Sequence, residues 1–341
     1  MAYLPIFTIT PRLLILVETI AVLRERILSA SVQVAWIPSL QREARVQTAH
    51  SSTAIEGNPL TLADVSVLAE GRDLPARTER HRREVLNYFA GLRFIEKNVG
   101  QQPIAQEDIL HLHRIIGGGV MRQGSAGEYR TIPVRVGGYT PPPAADVASL
   151  MREYVAWWNT TAGSHSPIVS SVILHSRFED IHPFADGNGR TGRAIALWEL
   201  YRRGFDSQHI FSVDEYFWSD RPGYYMTLDS VRRSGGDLTE WLEYAAEGIR
   251  FTLDRVWKRI QDFTALQGGA KIVLQPRQET LLRLLEDRES LAPSEIWSAL
   301  GITRQGAAKL IKPLLEAGLI RRVGGKKSGR YILGGPANPR S

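Results

Sequence analysis

The chain has 341 residues, of which 43% are apolar and 23% charged, which excludes wholesale disorder and by length points to two domains or three. It has no cysteine, which excludes disulfide staples, thiolate zinc sites, iron–sulfur clusters and a cysteine nucleophile, and fits a reducing, cytoplasmic location. The net charge of +6 is uneven: residues 271–341 hold 13 Lys and Arg against 6 Asp and Glu, the rest 29 against 30, so the whole basic excess lies in the C-terminal fifth.

The N-terminal stretch lacks a basic segment followed by an apolar one, so no secretory signal is expected. Leu13–Val17 is cut by Glu18, and no run of about 18 apolar residues follows anywhere, so no membrane-spanning helix is expected. Thr10-Pro11 opens a helix, as N-cap and first helical residue, and Leu13, Leu16, Val17, Ile20, Leu23 and Ile27 continue it at helical spacing. A second helix is predicted over 39–55, ended by Gly57-Asn58-Pro59. Helical patterns follow at 61–70, 77–98 and 105–117, then a glycine-rich loop over 117–127. Residues 129–139 alternate Ile132, Val134 and Val136 with Pro133 and Arg135 before Gly137-Gly138, which predicts an edge hairpin. Helices resume at 144–159, 167–181, 189–203, 221–233 and 237–263. Gln267-Gly268-Gly269 reads as a linker. Beyond it come three short helices, at 276–290, 293–300 and 304–317, and a basic hairpin over Arg321–Leu333. The domains expected are an N-terminal helical region (1–100), a catalytic core (101–265) and a C-terminal module (271–335).

The segment from His182 to Arg193 carries the chemistry. A helix ends near Ile181 and Pro183 forbids its continuation. Asp186-Gly187-Asn188-Gly189 then makes a turn into a new helix, whose first N–H groups face back into the turn and suit a phosphate. Arg190 and Arg193 share a helix face beside that anion site. Asp186 is a hard carboxylate of the kind that helps hold Mg²⁺. His182 can serve as general base. Phe184 is read as an anchor of the loop. Trp157, Trp158, Trp198, Trp218 and Trp241 are expected in the core or at a domain interface and His175 in a structural role, while His111 and His113 show no pattern that suggests a metal.

These twelve residues resemble the Fic (filamentation-induced by cAMP) family motif HPFx(D/E)GNGRxxR, and all nine specified positions match: His182, Pro183, Phe184, Asp186, Gly187, Asn188, Gly189, Arg190 and Arg193. The resemblance extends more weakly over 40–250. It implies a mainly helical Fic fold with a small β-hairpin flap, joined to a C-terminal winged helix-turn-helix. It implies transfer of AMP from ATP to a Ser, Thr or Tyr hydroxyl of a target protein. His182 would be the base, and Asp186 would hold Mg²⁺ or Mn²⁺. Gly187, Asn188, Gly189, Arg190 and Arg193 would hold the phosphates. The flap at 129–139 would clamp the target's backbone, Tyr224-Tyr225 would lie near the adenine, and a homodimer is among the implied partners. A relative that phosphorylates its target carries Ala and Lys in place of the glycines, and Gly187 and Gly189 argue against that variant. A second family pattern, (S/T)xxxE(G/N), is met by Ser52, Glu56 and Gly57. It implies an inhibitory helix whose Glu56 pairs with Arg193, and in relatives the same glutamate assists AMP removal.

In the C-terminal module Ser294–Gly301 reads as the first helix and turn of a helix-turn-helix, and Arg304 and Gln305 open the recognition helix, which continues through Lys309 and Lys312. Arg321, Arg322, Lys326, Lys327 and Arg330 would line the wing, making 271–335 the place for DNA. A nucleotide-sensing, DNA-binding regulator is the alternative to an enzyme, and transfer of a nucleotide other than ATP's AMP is a third reading. The intact His182 favours an enzyme, because a sensor needs no base.

Overall fold

The computed structural model describes residues 3–30, 37–75, 78–206, 209–266, 276–288, 290–325 and 329–334. The chain divides into two units, Met1–Glu25 with Arg42–Val256, and Arg26–Gln41 with Trp257–Ser341. The first is helical. In chain order it contains α1 (Pro11–Ser29), α2 (Ile37–Ile55), α3 (Leu62–Ala69), α4 (Glu79–Lys97), α5 (Gln106–Gly117), α6 (Val147–Thr160), α7 (Pro167–Ile181), α8 (Asn188–Arg202), α9 (Val213–Ser219), α10 (Arg221–Arg233) and α11 (Thr239–Leu266); α1, α2 and α11 each continue into the second unit. No helix among the described residues is long and apolar enough to cross a membrane.

The caps explain the boundaries. Thr10 Oγ1 accepts the Leu13 N–H at 3.0 Å and starts α1, whose Leu13, Leu16, Ile20, Leu23 and Ile27 are buried. Ser166 Oγ accepts the Val169 N–H ahead of Pro167, which starts α7. Helices α7 and α8 pack on each other along their length and are covered on nearly every side by α4, α5 and α6, so neither shows a one-sided apolar stripe. That central pair carries the twelve-residue segment, half in the loop that joins it and half in the first turns of α8.

Two expectations are corrected and one helix was missed. Residues 129–139 form no strand. Val136 and Tyr139 exchange hydrogen bonds (3.0 and 2.9 Å) around Gly137-Gly138, but no strand among the described residues lies beside the rest, and Pro133 has no N–H to offer one. Helix α9 was not foreseen: seven residues are too few for a helical period to stand out. Trp157, Trp158, Trp198 and Trp241 are buried as expected, but Trp218 is 37% exposed, edge-on to His50.

The second unit contains α12 (Pro276–Arg288), α13 (Pro293–Ala299), α14 (Arg304–Glu316) and an antiparallel pair, β1 (Ile320–Val323) with β2 (Arg330–Leu333), in the register Ile320–Leu333 to Val323–Arg330. Leu281, Leu282, Leu285, Ile296, Ile311 and Leu314 form its own core. The linker Gln267–Gly269 and the hairpin-tip residues Lys326 and Lys327 lie outside the described residues.

Candidate active site

The loop between α7 and α8 is held from three directions. His182 caps α7 with a left-handed backbone (φ 48°), uncommon for a residue with a side chain. The carbonyls left without helical partners there are met by buried Arg130. Its Nε donates to His182 O (2.8 Å), its Nη2 to Pro142 O (2.6 Å) and Ile181 O (3.3 Å), and its backbone N–H to Pro183 O (2.9 Å). Asn188 braces the loop from inside: its Oδ1 accepts the Phe184 N–H (2.9 Å) and its Nδ2 donates to Phe184 O (2.8 Å). The expected phosphate role of Asn188 is therefore confined to its backbone N–H, because its side-chain amide is already engaged. His113 closes the third side. Its ring stacks on Phe184 with centroids 3.5 Å apart. Its Nδ1 accepts the Gly127 N–H, so Nε2 carries the proton and donates to Asp186 O at 2.9 Å. Burial lowers the His113 pKa to about 4 and keeps the ring neutral.

This scaffold aims the start of α8. Gly187 is its N-cap, with φ 83°, and a Cβ there would crowd His113 Nε2 at 3.2 Å. The first helical bond inside the turn is Thr191 N–H to Gly187 O, so the N–H groups of Asn188, Gly189 and Arg190 have no intrahelical acceptor. Arg190 is 4% exposed, yet its Nε and Nη1 make no hydrogen bond among the described residues. Its Nη2 reaches Asp186 Oδ1 at 3.3 Å, and its Nη1 lies 3.8 Å from Glu84, beyond hydrogen-bond reach. Buried donors without partners beside a helix N-terminus make a site ready for an anion.

Three buried or half-buried partners occupy the guanidinium of Arg193 instead. Nε donates to Ser52 Oγ (2.9 Å), Nη2 to Ser52 O (2.8 Å) and Glu56 Oε1 (2.8 Å), and Nη1 to Tyr224 OH (3.2 Å). The Glu56 carboxylate also lies over Gly189, where an added Cβ would collide with Oε1. Gly57, at φ 91°, turns the chain out of α2, and Asn58 fixes the turn by donating to His81 O and Glu84 Oε2, both at 2.9 Å. Glu56 thus meets Arg193 as the second sequence pattern implied, joined by Ser52, while Gly57 ends the helix that carries both.

Glu179 was not foreseen. It lies one helical turn before His182, buried, with Oε2 3.4 Å from His182 Nδ1, within ion-pair reach though not aligned as a hydrogen bond. Burial pushes its pKa up, but His182, His175 and Arg193 outweigh this and lower it to about 2, so it remains a carboxylate. Gly192 makes room for it, since a Cβ there would come 2.9 Å from Glu179 Oε1. A carboxylate on Nδ1 favours the tautomer that leaves Nε2 free to accept a proton. Tyr224 is 1% exposed, its OH shared between Arg193 and His175 Nε2 (3.0 Å), so the expected adenine contact does not fit it; Tyr225, 43% exposed, stands beside the end of α2 and reaches Ile55 O.

No cluster of three or more His, Asp and Glu that could hold a metal ion occurs among the described residues. Asp186 stands alone, with Oδ2 accepting the Arg122 N–H at 2.7 Å. One carboxylate beside an anion site suits a cation held mainly by phosphate oxygens and water, as Mg²⁺ is.

A histidine at the end of one helix therefore lies next in sequence to the unpartnered N–H groups that start the following one, with Glu56 over them. The Fic/DOC family model matches residues 103–200. Protein adenylyltransferase Fic of Drosophila grimshawi is 32% identical over 217 residues, 63% of this chain and 43% of that protein; the Drosophila melanogaster protein gives 32%, 63% and 42%. The chain therefore spans less than half the length of the curated relatives it matches. Among solved structures, a Fic family protein from Desulfovibrio desulfuricans G20 is similar with TM-score 0.67 and 27% identity over 98% of this chain and all of that one. Fic-1 from C. elegans gives 0.64 and 26% over 73% and 72%. Residues 103–200 thus resemble the Fic/DOC family, and the wider chain is similar to proteins that carry that domain.

Proposed function

We propose that this chain transfers AMP from ATP to a Ser, Thr or Tyr hydroxyl of a protein, and that Glu56 holds the reaction in check. The observation that carries this reading is the meeting of two sequence patterns at one point: Glu56 lies on Arg193 and over Gly189, in the anion site next to His182. His182 Nε2 takes the proton of the attacking hydroxyl, with Glu179 steadying the imidazolium through Nδ1. The hydroxyl oxygen bonds to the α-phosphorus, and the bond from that phosphorus to the bridging oxygen of pyrophosphate breaks. The N–H groups of Asn188, Gly189 and Arg190 hold phosphate oxygens, and Arg190 and Arg193 neutralise the departing charge. Asp186 would hold Mg²⁺ or Mn²⁺, which supplies further charge neutralisation at the phosphates. The target docks along 131–135, which is exposed and makes no backbone–backbone hydrogen bonds among the described residues, so an extended segment could pair with it regardless of sequence. The absence of cysteine supports a cytoplasmic location, and the same Glu56 would assist AMP removal.

A hydrogen bond to a charged group contributes about 1.5–3 kcal/mol, and at about 1.4 kcal/mol per decade Glu56 should repress roughly tenfold to a hundredfold. The test is intact-mass measurement of wild type, Glu56→Gly and Glu56→Gly/His182→Ala with Mg²⁺-ATP. AMP should appear on Glu56→Gly alone. Equal AMP on wild type would remove the brake, and AMP on the double variant would remove His182 as base.

A further inference from the structure

We propose that the second unit binds double-stranded DNA, with α14 in the major groove and β1 against the backbone. This goes beyond the transfer reaction and does not depend on it.

The architecture supports it first. Helices α13 and α14 are joined by the four residues Leu300–Thr303, with Gly301 at φ 61°. A turn of that length with glycine is the joint of a helix-turn-helix. Thr303 Oγ1 accepts the Gly306 N–H at 3.1 Å and fixes the start of α14. Leu291 and Tyr331 exchange backbone hydrogen bonds of 2.9 and 2.7 Å, which ties the hairpin to the chain ahead of α13.

The surface supports it independently. Ala307, Leu310, Ile311 and Leu314 are buried, while Arg304, Gln305, Ala308, Lys309 and Lys312 are exposed at helical spacing. That face runs three turns before its first acidic residue, Glu316, which meets Lys312 at 3.8 Å. Arg304, Lys309 and Arg321 make no ion pair among the described residues. Thirteen residues give a helix about 20 Å long, and the small Ala308 permits close approach along it. Lys309, Lys312 and Arg321 suit phosphates, whereas Arg304 and Gln305, in the first turn, suit base edges.

One residue leaves the expected set. Arg330 is already engaged, donating to Ser290 O (3.1 Å), Ser290 Oγ (2.9 Å) and Glu295 Oε2 (2.7 Å). It fastens the hairpin and is not a DNA contact. Lys326 and Lys327 lie outside the described residues.

The experiment is fluorescence anisotropy on the full chain, with a labelled duplex of randomised sequence and its single strand, from 50 to 200 mM salt. Wild type should bind the duplex more tightly than the strand, with affinity falling steeply with salt. Arg304→Ala/Lys309→Ala should weaken duplex binding at least tenfold and lower the slope of log K against log salt by about 1, since Lys309 is the phosphate contact of the two. The exposed positions should leave thermal unfolding unchanged, and Gln305→Ala gives a milder check on the same face. Absence of duplex binding at 50 mM salt would overturn the proposal. So would equal binding by the double variant, or a change in sedimentation of that variant without DNA binding, which would make α14 a protein contact.

Discussion

The two arginines of the α8 turn lie one turn apart on one helix and in opposite states. Arg190 is buried with two of its nitrogens unbonded, while every nitrogen of Arg193 has an acceptor within 3.2 Å. Both are nearly inaccessible, so burial does not distinguish them. The difference comes from what lies opposite. Arg190 faces Asp186 and a distant Glu84, while Arg193 faces the end of α2, which brings a hydroxyl, a carbonyl and a carboxylate together. One end of the site thus offers unbonded donors, and the other is filled by the chain itself.

The sharpest way to break this comparison is to remove each guanidinium with and without the brake. Arg190→Ala should weaken ATP binding whether or not Glu56 is present, and in Glu56→Gly should lower the rate of AMP transfer about 10²–10³-fold, as removal of one preorganised donor does. Arg193→Ala should do so only in Glu56→Gly, because in wild type Glu56 already occupies that guanidinium. Calorimetric ATP titration of the four variants checks it. Equal losses from Arg193→Ala in both backgrounds would mean that the two ends do not differ.

The contrast also marks what a sequence can disclose. The turn from His182 to Arg193 is contiguous, and its chemistry follows from local rules: a proline stop, a glycine N-cap, arginines three apart. The helices were legible for the same reason, and α7 and α10 fall at the predicted bounds. Glu56 was reached through a short pattern whose meaning lies 137 residues away. His113, Arg130, Glu84 and Glu179 carried no such signal as partners of the loop. His113 meets Asp186 across 73 residues and Arg130 meets His182 across 52, and only the packed fold brings them together. Glu179 is three residues from His182, a spacing that marks one helix face, but its burial depends on Gly192 of the neighbouring helix. The flap failed in the opposite sense, because alternation predicts a strand while a strand also needs a neighbour to pair with.

Each end of the site also rests on a buried, neutral histidine. His113 holds the Asp186 carbonyl at the Arg190 end, and His175 holds Tyr224 at the Arg193 end; burial lowers both pKa values from 6.5 to about 4. The unfolded chain therefore binds more protons than the folded one between those values, so stability is constant above pH 6.5, falls as pH drops toward 4, and levels off below it. At 1.36 kcal/mol per unit, each histidine should account for roughly 3 kcal/mol of the fall. Glu179, lowered from 4.5 to about 2, contributes stability above pH 4.5 that is lost only as pH falls toward 2, so the two effects separate. Urea unfolding from pH 7.5 to 4 checks this. The loss should shrink in His175→Gln, and an unchanged pH slope would place the histidine in a hydrated setting.

The smallest expected effect tests how Arg193 is held. Ser52 contributes both a side chain and a backbone oxygen to that guanidinium, so Ser52→Ala removes one hydrogen bond of four and leaves Glu56 in place. The bond is to a charged group, but the Ser52 carbonyl, Tyr224 and Glu56 still hold the guanidinium, so the release should fall well short of Glu56→Gly. Buried Asp214 of α9, whose carboxyl burial pushes upward in pKa, is drawn back down by Arg193 and Ser52, so the serine and the guanidinium both face α9. If α2 works as one latch, Ser52→Ala and Glu56→Gly will not add: once the carboxylate is gone, the loss of the hydroxyl should change auto-AMPylation little. Full additivity of the two rates would make Ser52 an independent constraint on Arg193, and the occupied end of the site would then have two separate closures.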